Sequence, residues 1–262
     1  LKMGRGDAFG WGAFPGDGGM AILSRFPIDD GAARTFQNFL WADLPEALLP
    51  ERADGTPFPN AEAQGILRLS SRSHWDVPVL LDDGVRLHLL ASNPTPPLFD
   101  GPEKFNVKRN HDELAFWRHY LDGAAFPDDQ GRTGSAPDAP LIVLGDLNAD
   151  PFDGAGLGAG ITSLLQHPRL RDPMPKSAGG AAAALSQGGA NARHRGAPEL
   201  DTADWRDDED GPGNLRVDYV LPSRDLRVKD AGVYWPGPEL RSDSAMVEGS
   251  THRLVWVDVA LP

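Results

Sequence analysis

The sequence predicts an α/β fold in which short strands and a few helices pack in layers. Three observations lead to this class. Short apolar runs recur between turn residues, one segment has a clear helical repeat, and 30 Gly and 24 Pro in 262 residues place much of the chain in loops. There is no internal repeat and no sign of a second domain. Residues 1–262 are therefore interpreted as one domain.

Composition excludes several classes of function. The chain has no cysteine, which excludes disulfides, thiolate metal sites and a cysteine nucleophile. No apolar run approaches the roughly 18 residues of a membrane span. The net charge of −13 argues against a tight, non-specific grip on long nucleic acid, which usually needs a basic face. A small phosphoester or a metal-bridged substrate remains compatible with this charge.

The first half of the chain predicts strands and a hairpin. Apolar patterns predict strands at residues 20–26, 34–41 and 65–71, with a Pro-rich loop over 44–63. Two further runs, 75–81 and 85–92, flank an Asp-Asp-Gly turn and predict a hairpin. A long loop follows over 94–108. These elements form the first part of a sheet.

A helix is expected next, beginning at Asn110. Asn110 resembles an N-cap, and Glu113 stands three residues on, as in a capping box. Leu114, Trp117 and Leu121 then form one apolar face. Amphipathic spacing of this kind predicts a helix packed on the sheet.

The second half predicts three further strands. They cover residues 141–144, 215–221 and 254–261, and a short helix is expected at 161–165. Low hydrophobicity indicates a loop over 173–210, whose acidic run is interpreted as a solvated surface.

The segment LIVLGDLNADP, residues 141–151, carries the strongest functional signal. A buried strand reaches Gly145 and then presents Asp146 and Asn148, two residues apart. A carboxylate can activate water, and an amide N–H can donate to a phosphate oxygen. An Asx turn that closes the strand explains the same residues equally well.

Three other strand ends carry polar side chains. Asn93 follows the hairpin, Asp218 lies within the strand RVDYVL, and His252 precedes the last strand. A carboxylate inside an apolar strand needs a partner, and His252 is the best candidate for Asp218. A single histidine in this position is more often structural, so these residues alone leave both readings open.

In this order, the motifs resemble the endonuclease/exonuclease/phosphatase family, which has the deoxyribonuclease I-like fold. The resemblance runs from about Gly10 to the last strand and is closest to a subgroup of larger bacterial members. The segments that carry it are RTFQNFLW, RLSSRSHWDVPV, NPTPPLFDGPEKFN, GDLNADPFDG, NLRVDYVLPS and HRLVWVDV.

This resemblance implies a four-layer α/β/β/α sandwich that hydrolyses phosphoesters with Mg²⁺, or with Mn²⁺ or Ca²⁺. It implies that Asp146 binds metal and orients or deprotonates the attacking water, and that Asn148 donates to a phosphate oxygen. Asp218 would hold His252, whose imidazolium would stabilise the developing charge on phosphorus. The expected partner is a phosphoester, either a small molecule or nucleic acid, and the subgroup is often secreted.

The same resemblance gives weaker assignments near the phosphate. It implies that Arg72, His74 and Asn93 bind substrate, with Asn106, Arg109 and Asn110 near the same mouth. An exposed arginine and a structural histidine at a hairpin end are equally good explanations of the first two.

Three departures from the family pattern predict weak or no turnover. Asn93 stands where the family usually has His, and Thr251 stands where it has a metal-binding Asp. A neutral hydroxyl is a poor ligand for a hard cation. The family's first strands, with an Asn and a metal-binding Glu, would precede Leu1, so we expect the sandwich to lack them. A degraded homologue that only binds a phosphorylated ligand is the alternative.

Overall fold

A computed structural model describes residues 9–14, 16–82, 84–237 and 249–260. The helices are α1 Ala61–Gln64, α2 Phe105–Leu121, α3 Gly158–Leu165 and α4 Ala178–Gln187. The strands are β1 Arg34–Thr35, β2 His74–Leu80, β3 Arg86–Ser92, β4 Phe126–Pro127, β5 Thr133–Gly134, β6 Leu141–Asp146, β7 Ala203–Asp204, β8 Asn214–Leu215, β9 Asp218–Pro222, β10 Arg227–Tyr234 and β11 Leu254–Ala260. Short 3-10 helices occur at Phe9–Trp11, Trp41–Asp43, Asn191–Arg193 and Pro198–Leu200.

The central sheet has five strands in the order β1-β2-β3-β6-β9. β3 and β6 are parallel, whereas the other neighbouring pairs are antiparallel. Parallel pairing brings the C-terminal ends of β3 and β6 to one edge, and antiparallel β9 begins there with Asp218 opposite Asp146. The topology therefore gathers Asn93, Asp146 and Asp218 at the same edge of the sheet.

Helix α2 covers one face of this sheet and supplies much of the core. Phe116, Trp117 and Tyr120 are fully buried, and Phe36 meets the first and last of them edge-on at 5.0 and 5.5 Å between ring centroids. α3 lies close against α2 because Gly160 has no side chain at the contact; a Cβ there would lie 3.2 Å from the Cα of His111. The helix–sheet interface is thus tightly packed.

The remaining strands form three two-stranded ribbons, β10–β11, β4–β5 and β7–β8. β11 lies near β9, and the segment just before β11 bridges to β7 through His252 and Ala203. The mixed sheet with few helices confirms the predicted α/β class. In the described part of the chain, no helix is both long and apolar enough to cross a membrane.

Two predicted strands are wrong. Residues 20–26 form none, and Leu23 is 91% exposed. Residues 65–71 form no strand either: they make only an isolated bridge between Arg68 and Leu40, and the carbonyls of residues 68–70 accept bonds from the guanidinium of Arg109. The strand predicted at 34–41 ends at Thr35, since the carboxylate of Asp129 takes the next free backbone N–H groups and turns the chain away.

The helix boundaries also differ from the prediction. α2 begins at Phe105 because the carboxylate of Asp100 accepts the N–H groups of Asn106 at 2.6 Å and Val107 at 2.9 Å. Asn110 therefore lies inside the helix and does not cap it. Helix α4 stands in the predicted loop 173–210 and is capped by Ser177, whose Oγ accepts from Gly180. The hairpin β2–β3 and the strands β6 and β11 follow the prediction.

Candidate active site

A glycine at the end of β6 brings the neighbouring strand ends together. Gly145 has φ 146°, and a Cβ at this position would lie 2.0 Å from the carbonyl oxygen of Ser92. Only glycine allows this approach between β6 and the end of β3. Asp146, the next residue, is therefore held close to Asn93.

The segment after Asp146 forms a tight turn. Asn148 has φ 49°, in the left-handed region that Asn tolerates, and its N–H donates to Asp146 Oδ1 at 3.0 Å. Its Nδ2 lies 3.1 Å from Asp146 Oδ2, 3.2 Å from Asn93 Oδ1 and 3.0 Å from the carbonyl of Pro94. The Asx turn is thus present, and it places the carboxamide beside the carboxylate.

Asp218 and His252 form an ion pair. His252 Nδ1 lies 3.1 and 3.0 Å from the two carboxylate oxygens of Asp218. The hydrogen bond to Asp218 raises the pKa of His252. The backbone N–H of Asp218 donates to Oγ1 of buried Thr202 at 2.9 Å, which fixes the carboxylate's position. The partner predicted for Asp218 is the one that the structure contains.

This pair faces Asp146. One ligand atom from each of Asp146, Asp218 and His252 lies within 4.8 Å of the other two. Burial, and secondarily the charge of Asp218, raises the pKa of Asp146 to about 6. In the described residues Asp146 forms no ion pair. Its carboxylate is therefore available to a cation, to water or to a proton.

Arg72 and Asn93 border the same group. Arg72 Nη1 donates to Asn93 Oδ1 at 2.8 Å, and Arg72 Nε donates to the carbonyl of Gly18. Arg72 lines a cleft of about 480 Å³ together with Asp146, Asn148 and His252. The structure thus brings together six of the residues predicted for the site: Arg72, Asn93, Asp146, Asn148, Asp218 and His252.

His74 does not join them, and its prediction as a substrate-binding residue is corrected. It is fully buried, with Nε2 2.8 Å from the carbonyl of Glu113 and Nδ1 2.6 Å from Ser70 Oγ. Burial lowers its pKa to about 4, so it is a neutral core residue. It packs against Phe116 and Trp117 of α2. The structural alternative raised from the sequence is the correct one.

Thr251 lies next to His252 and is exposed. Its carbonyl accepts the N–H of Asp204. The carboxylate of Asp204 is bonded to Gln187 and Arg253. Asp204 therefore does not supply the carboxylate that the family resemblance predicts at position 251.

Two buried side chains of α2 fix the loops of the site, a role that the sequence did not reveal. Glu113 Oε1 accepts the N–H of Ser71 at 2.6 Å, and Oε2 accepts the N–H of Thr95 at 2.7 Å. Asn110 Nδ2 donates to the carbonyls of Thr95 and Leu147 at 2.9 and 3.1 Å. These bonds position the segments that carry Arg72, Asn93 and Asn148. Each of them stands four residues before a residue of the apolar face, Leu114 or Trp117, and polar residues in line with an apolar face are the signal that could have found them.

Arg109 and Asn110, which were predicted to lie near the mouth of the site, therefore do not line the cleft but hold the backbone of the loops that do. Arg109 donates to three backbone carbonyls before Ser71, and burial lowers its pKa. Trp205 belongs to the segment predicted to be a polar loop. It lines the cleft, and its ring centroid lies 5.4 Å from that of His252. An isolated tryptophan among acidic residues was the available signal.

The carboxylates suit a hard divalent cation. Such ions prefer carboxylate oxygens, and Mg²⁺ usually keeps several waters beside one or two carboxylates. Asp146 is the best-placed ligand because Asp218 is engaged with His252. The carboxylate of Asp146 lines the open cleft, where water can complete the coordination.

Comparison with known proteins identifies the family. The model of the endonuclease/exonuclease/phosphatase family matches residues 3–252. The chain belongs to this family, whose members are hydrolases of phosphoesters, among them nucleases. A search of curated proteins finds no match.

Three solved structures are similar to the chain, and the first of them has the same fold. The endonuclease/exonuclease/phosphatase from Beutenbergia cavernae DSM 12333 is 18% identical with a TM-score of 0.50; the match covers 91% of this chain and 46% of that one. An endonuclease/exonuclease/phosphatase family protein from Bacteroides thetaiotaomicron has 13% identity and a TM-score of 0.39, and the match covers 72% of this chain and 55% of that one. The catalytic domain of Xenopus laevis APE2 has 16% identity and a TM-score of 0.36, and the match covers 92% of this chain and 79% of that one. The chain spans about half the length of the first structure.

Proposed function

From membership of this family, we propose that the chain is a divalent-metal-dependent phosphoesterase. The substrate is a phosphomonoester or a phosphodiester, and nuclease activity belongs to this class. One observation carries the proposal: the Asp218–His252 ion pair lies beside the unpaired carboxylate of Asp146 at an open cleft. A carboxylate and a fixed imidazolium are what in-line attack of water on phosphorus requires.

In this proposal Asp146 orients and deprotonates the attacking water. A pKa raised to about 6 by burial makes its carboxylate a stronger base than an exposed aspartate while keeping it ionised at neutral pH. Asn148 donates from Nδ2 to a non-bridging oxygen. Since that nitrogen already meets Asn93 Oδ1 and Pro94 O, the phosphate replaces one of these acceptors.

His252 holds a proton next to the phosphorus. The hydrogen bond from Nδ1 to Asp218 raises its pKa and favours the imidazolium, which leaves Nε2–H to donate to the phosphate. Asp218 is a positioning residue for the ring. A divalent cation would be held by Asp146, and when bound it would supply charge neutralisation and lower the pKa of a bound water.

The site as it stands supports reduced turnover. Thr251 offers no carboxylate, and Asn93 cannot carry charge or transfer a proton. Removal of one group that stabilises the transition state typically lowers the rate by about 10²–10³. We therefore expect slow hydrolysis by this sequence. We expect faster hydrolysis when position 93 carries His and position 251 carries Asp, the residue types that the family resemblance predicts there.

The test measures phosphate and nitrophenol release from model mono- and diesters with Mg²⁺, Mn²⁺ or Ca²⁺. The chain is compared with the double variant Asn93→His, Thr251→Asp and with His252→Asn. Thr133→Asp, an exposed threonine on β5, controls for the added charge. The proposal expects a gain for the double variant and loss for His252→Asn. No hydrolysis by any form on any ester contradicts it.

A second candidate is a phosphate-binding protein without catalysis. It is favoured by the replacement of Asp by Thr251, because Arg72, Asn148 and His252 still line the cleft while the carboxylate set is reduced. Calorimetric titration with phosphate and mononucleotides, in the presence and absence of Mg²⁺, tests it. Binding without turnover in the restored variant supports this candidate, and absence of heat at millimolar ligand rejects it.

A further inference from the structure

One wall of the cleft is an apolar loop that holds an aromatic ring in solvent. Pro96, Pro97, Leu98 and Phe99 line it, and the side chain of Phe99 is 91% exposed. Phe99 has φ 61°, a backbone conformation that bulky residues rarely adopt. The N–H of Leu98 donates to the carbonyl of Pro96, which tightens the turn before the ring. Strain that keeps a large ring exposed at a cleft indicates a binding role.

A second group of apolar side chains lines the same cleft and includes a ring at the candidate catalytic histidine. Trp205 meets His252 edge-on, with an angle of 87° between the rings. Pro212, Leu215 and Val217 also line the cleft. The apolar surface is therefore continuous with the site at which a phosphate would be held. A substituent on the phosphorus would lie among these apolar side chains.

The charges around the cleft select what this substituent can be. Asp150, Asp153 and Asp210 line the cleft, and of these Asp153 is paired with Arg195 at 3.8 Å. Of the cations in the lining, Arg72 lies at the phosphate position, and the guanidinium of Arg206 is taken by Asp208 at 2.9 Å from both Nε and Nη2. Further phosphates would be repelled by these acids. A neutral, apolar group has no such cost, and the volume of about 480 Å³ is that of a small-ligand pocket.

We propose that the cleft binds one flat aromatic group attached to the phosphate of the substrate. The phosphate lies at Asp146 and His252, and the ring lies between Phe99 and Trp205. The substrate class is thus a small aromatic phosphoester, such as an aryl ester or a mononucleotide, rather than a long polyanion. This inference rests on the proposed function for the position of the phosphate.

The test uses non-hydrolysable phosphonates, so that it does not depend on turnover. Benzylphosphonate, cyclohexylmethylphosphonate, methylphosphonate and a nucleoside 5′-phosphonate are titrated into the chain with Mg²⁺ by calorimetry. Phe99→Gly removes the ring and suits the positive φ. Phe14→Ala removes an exposed ring that does not line the cleft and is the matched control.

We expect benzylphosphonate to bind about 3- to 10-fold more tightly than the cyclohexyl compound, and still more tightly than methylphosphonate. Phe99→Gly and Trp205→Ala should remove the aromatic preference, and Phe14→Ala should retain it. Comparison with the nucleoside phosphonate separates aryl esters from nucleotides as the source of the ring. Equal affinity for the three simple phosphonates, or no binding, overturns the inference; failure of ester hydrolysis by the restored variant overturns only the proposed function.

Discussion

Replacing Asp201 by Asn should stabilise the protein, and increasingly so as the pH rises. Asp201 is only 6% exposed, and within the described residues its carboxylate accepts no hydrogen bond. Burial, followed by the charges of Asp150 and Asp153, raises its pKa to about 8. At neutral pH the folded protein therefore holds a proton on Asp201 that the unfolded chain releases, and this difference opposes folding.

The size of the effect follows from the two ionisation points. In the unfolded chain the group ionises near pH 3.8 and in the folded chain near pH 8. Because the folded pKa is the higher one, the stabilisation that the neutral group provides is complete below pH 3.8 and is lost as the pH rises towards 8. Each pH unit in this window costs about 1.4 kcal/mol, which amounts to about 2 kcal/mol at pH 5 and about 4 kcal/mol at pH 7.

Urea denaturation followed by tryptophan fluorescence measures this. Asp201→Asn should raise the free energy of unfolding by about 2–3 kcal/mol more at pH 7 than at pH 5. The measurements are made with a chelator present, and Asp225→Asn, an exposed carboxylate, is the control. A stabilisation that is the same at both pH values would refute the reasoning. So would a loss of stability at pH 7, which would mean that the carboxylate is charged and partnered in the folded protein.

Three further outcomes are expected in the same assay. Gly145→Ala should cost about 2–4 kcal/mol because its Cβ would meet a backbone oxygen. Gly31→Ala, whose Cβ would only reach ordinary contact with Asp29 Oδ1 at 3.8 Å, should change stability by less than about 0.5 kcal/mol; equal effects would contradict this. Glu113→Ala should cost about 2–5 kcal/mol because it leaves buried N–H groups, such as that of Thr95, unpaired. An unchanged stability would contradict the role of Glu113 in fixing the loops of the site. The stability of the protein relative to His74→Gln should fall by up to about 3 kcal/mol from pH 6.5 to pH 4, because burial lowers the pKa of His74 to about 4 and the unfolded chain takes up a proton that the folded protein does not; a difference that does not change with pH would contradict this.

The sequence predicted the α/β class and the main sheet strands because their signals are local. The hairpin β2–β3 follows from apolar runs around an Asp-Gly turn, and β6 follows from a buried run that ends at Gly145. The start of α2 was missed because its cap, Asp100, acts across a loop rather than from the preceding residue. The strand predicted at 34–41 was cut short by Asp129, which is remote in sequence.

The candidate site shows the same difference between residues with a local sequence signal and residues that act through remote contacts. Asp146, Asn148, Asp218 and His252 lie in motifs that the family resemblance identified, and the structure brings them to one edge. His74 was misassigned because spacing does not reveal on which side of a hairpin end a side chain is buried. Supporting groups such as Glu113 act through tertiary hydrogen bonds, which no local pattern records.

The hydrogen bonds that Glu113 accepts should protect two loops of the site from hydrogen exchange as strongly as core residues are protected. The amide hydrogens of Ser71 and Thr95 belong to irregular segments, yet they donate to the carboxylate of Glu113, a residue that is only 1% exposed. They can exchange with solvent only when α2 leaves the sheet, so their protection factors should match those of the central strands. A pocket whose rim is tied to the interior in this way is already ordered before any ligand arrives, and binding there loses little conformational entropy.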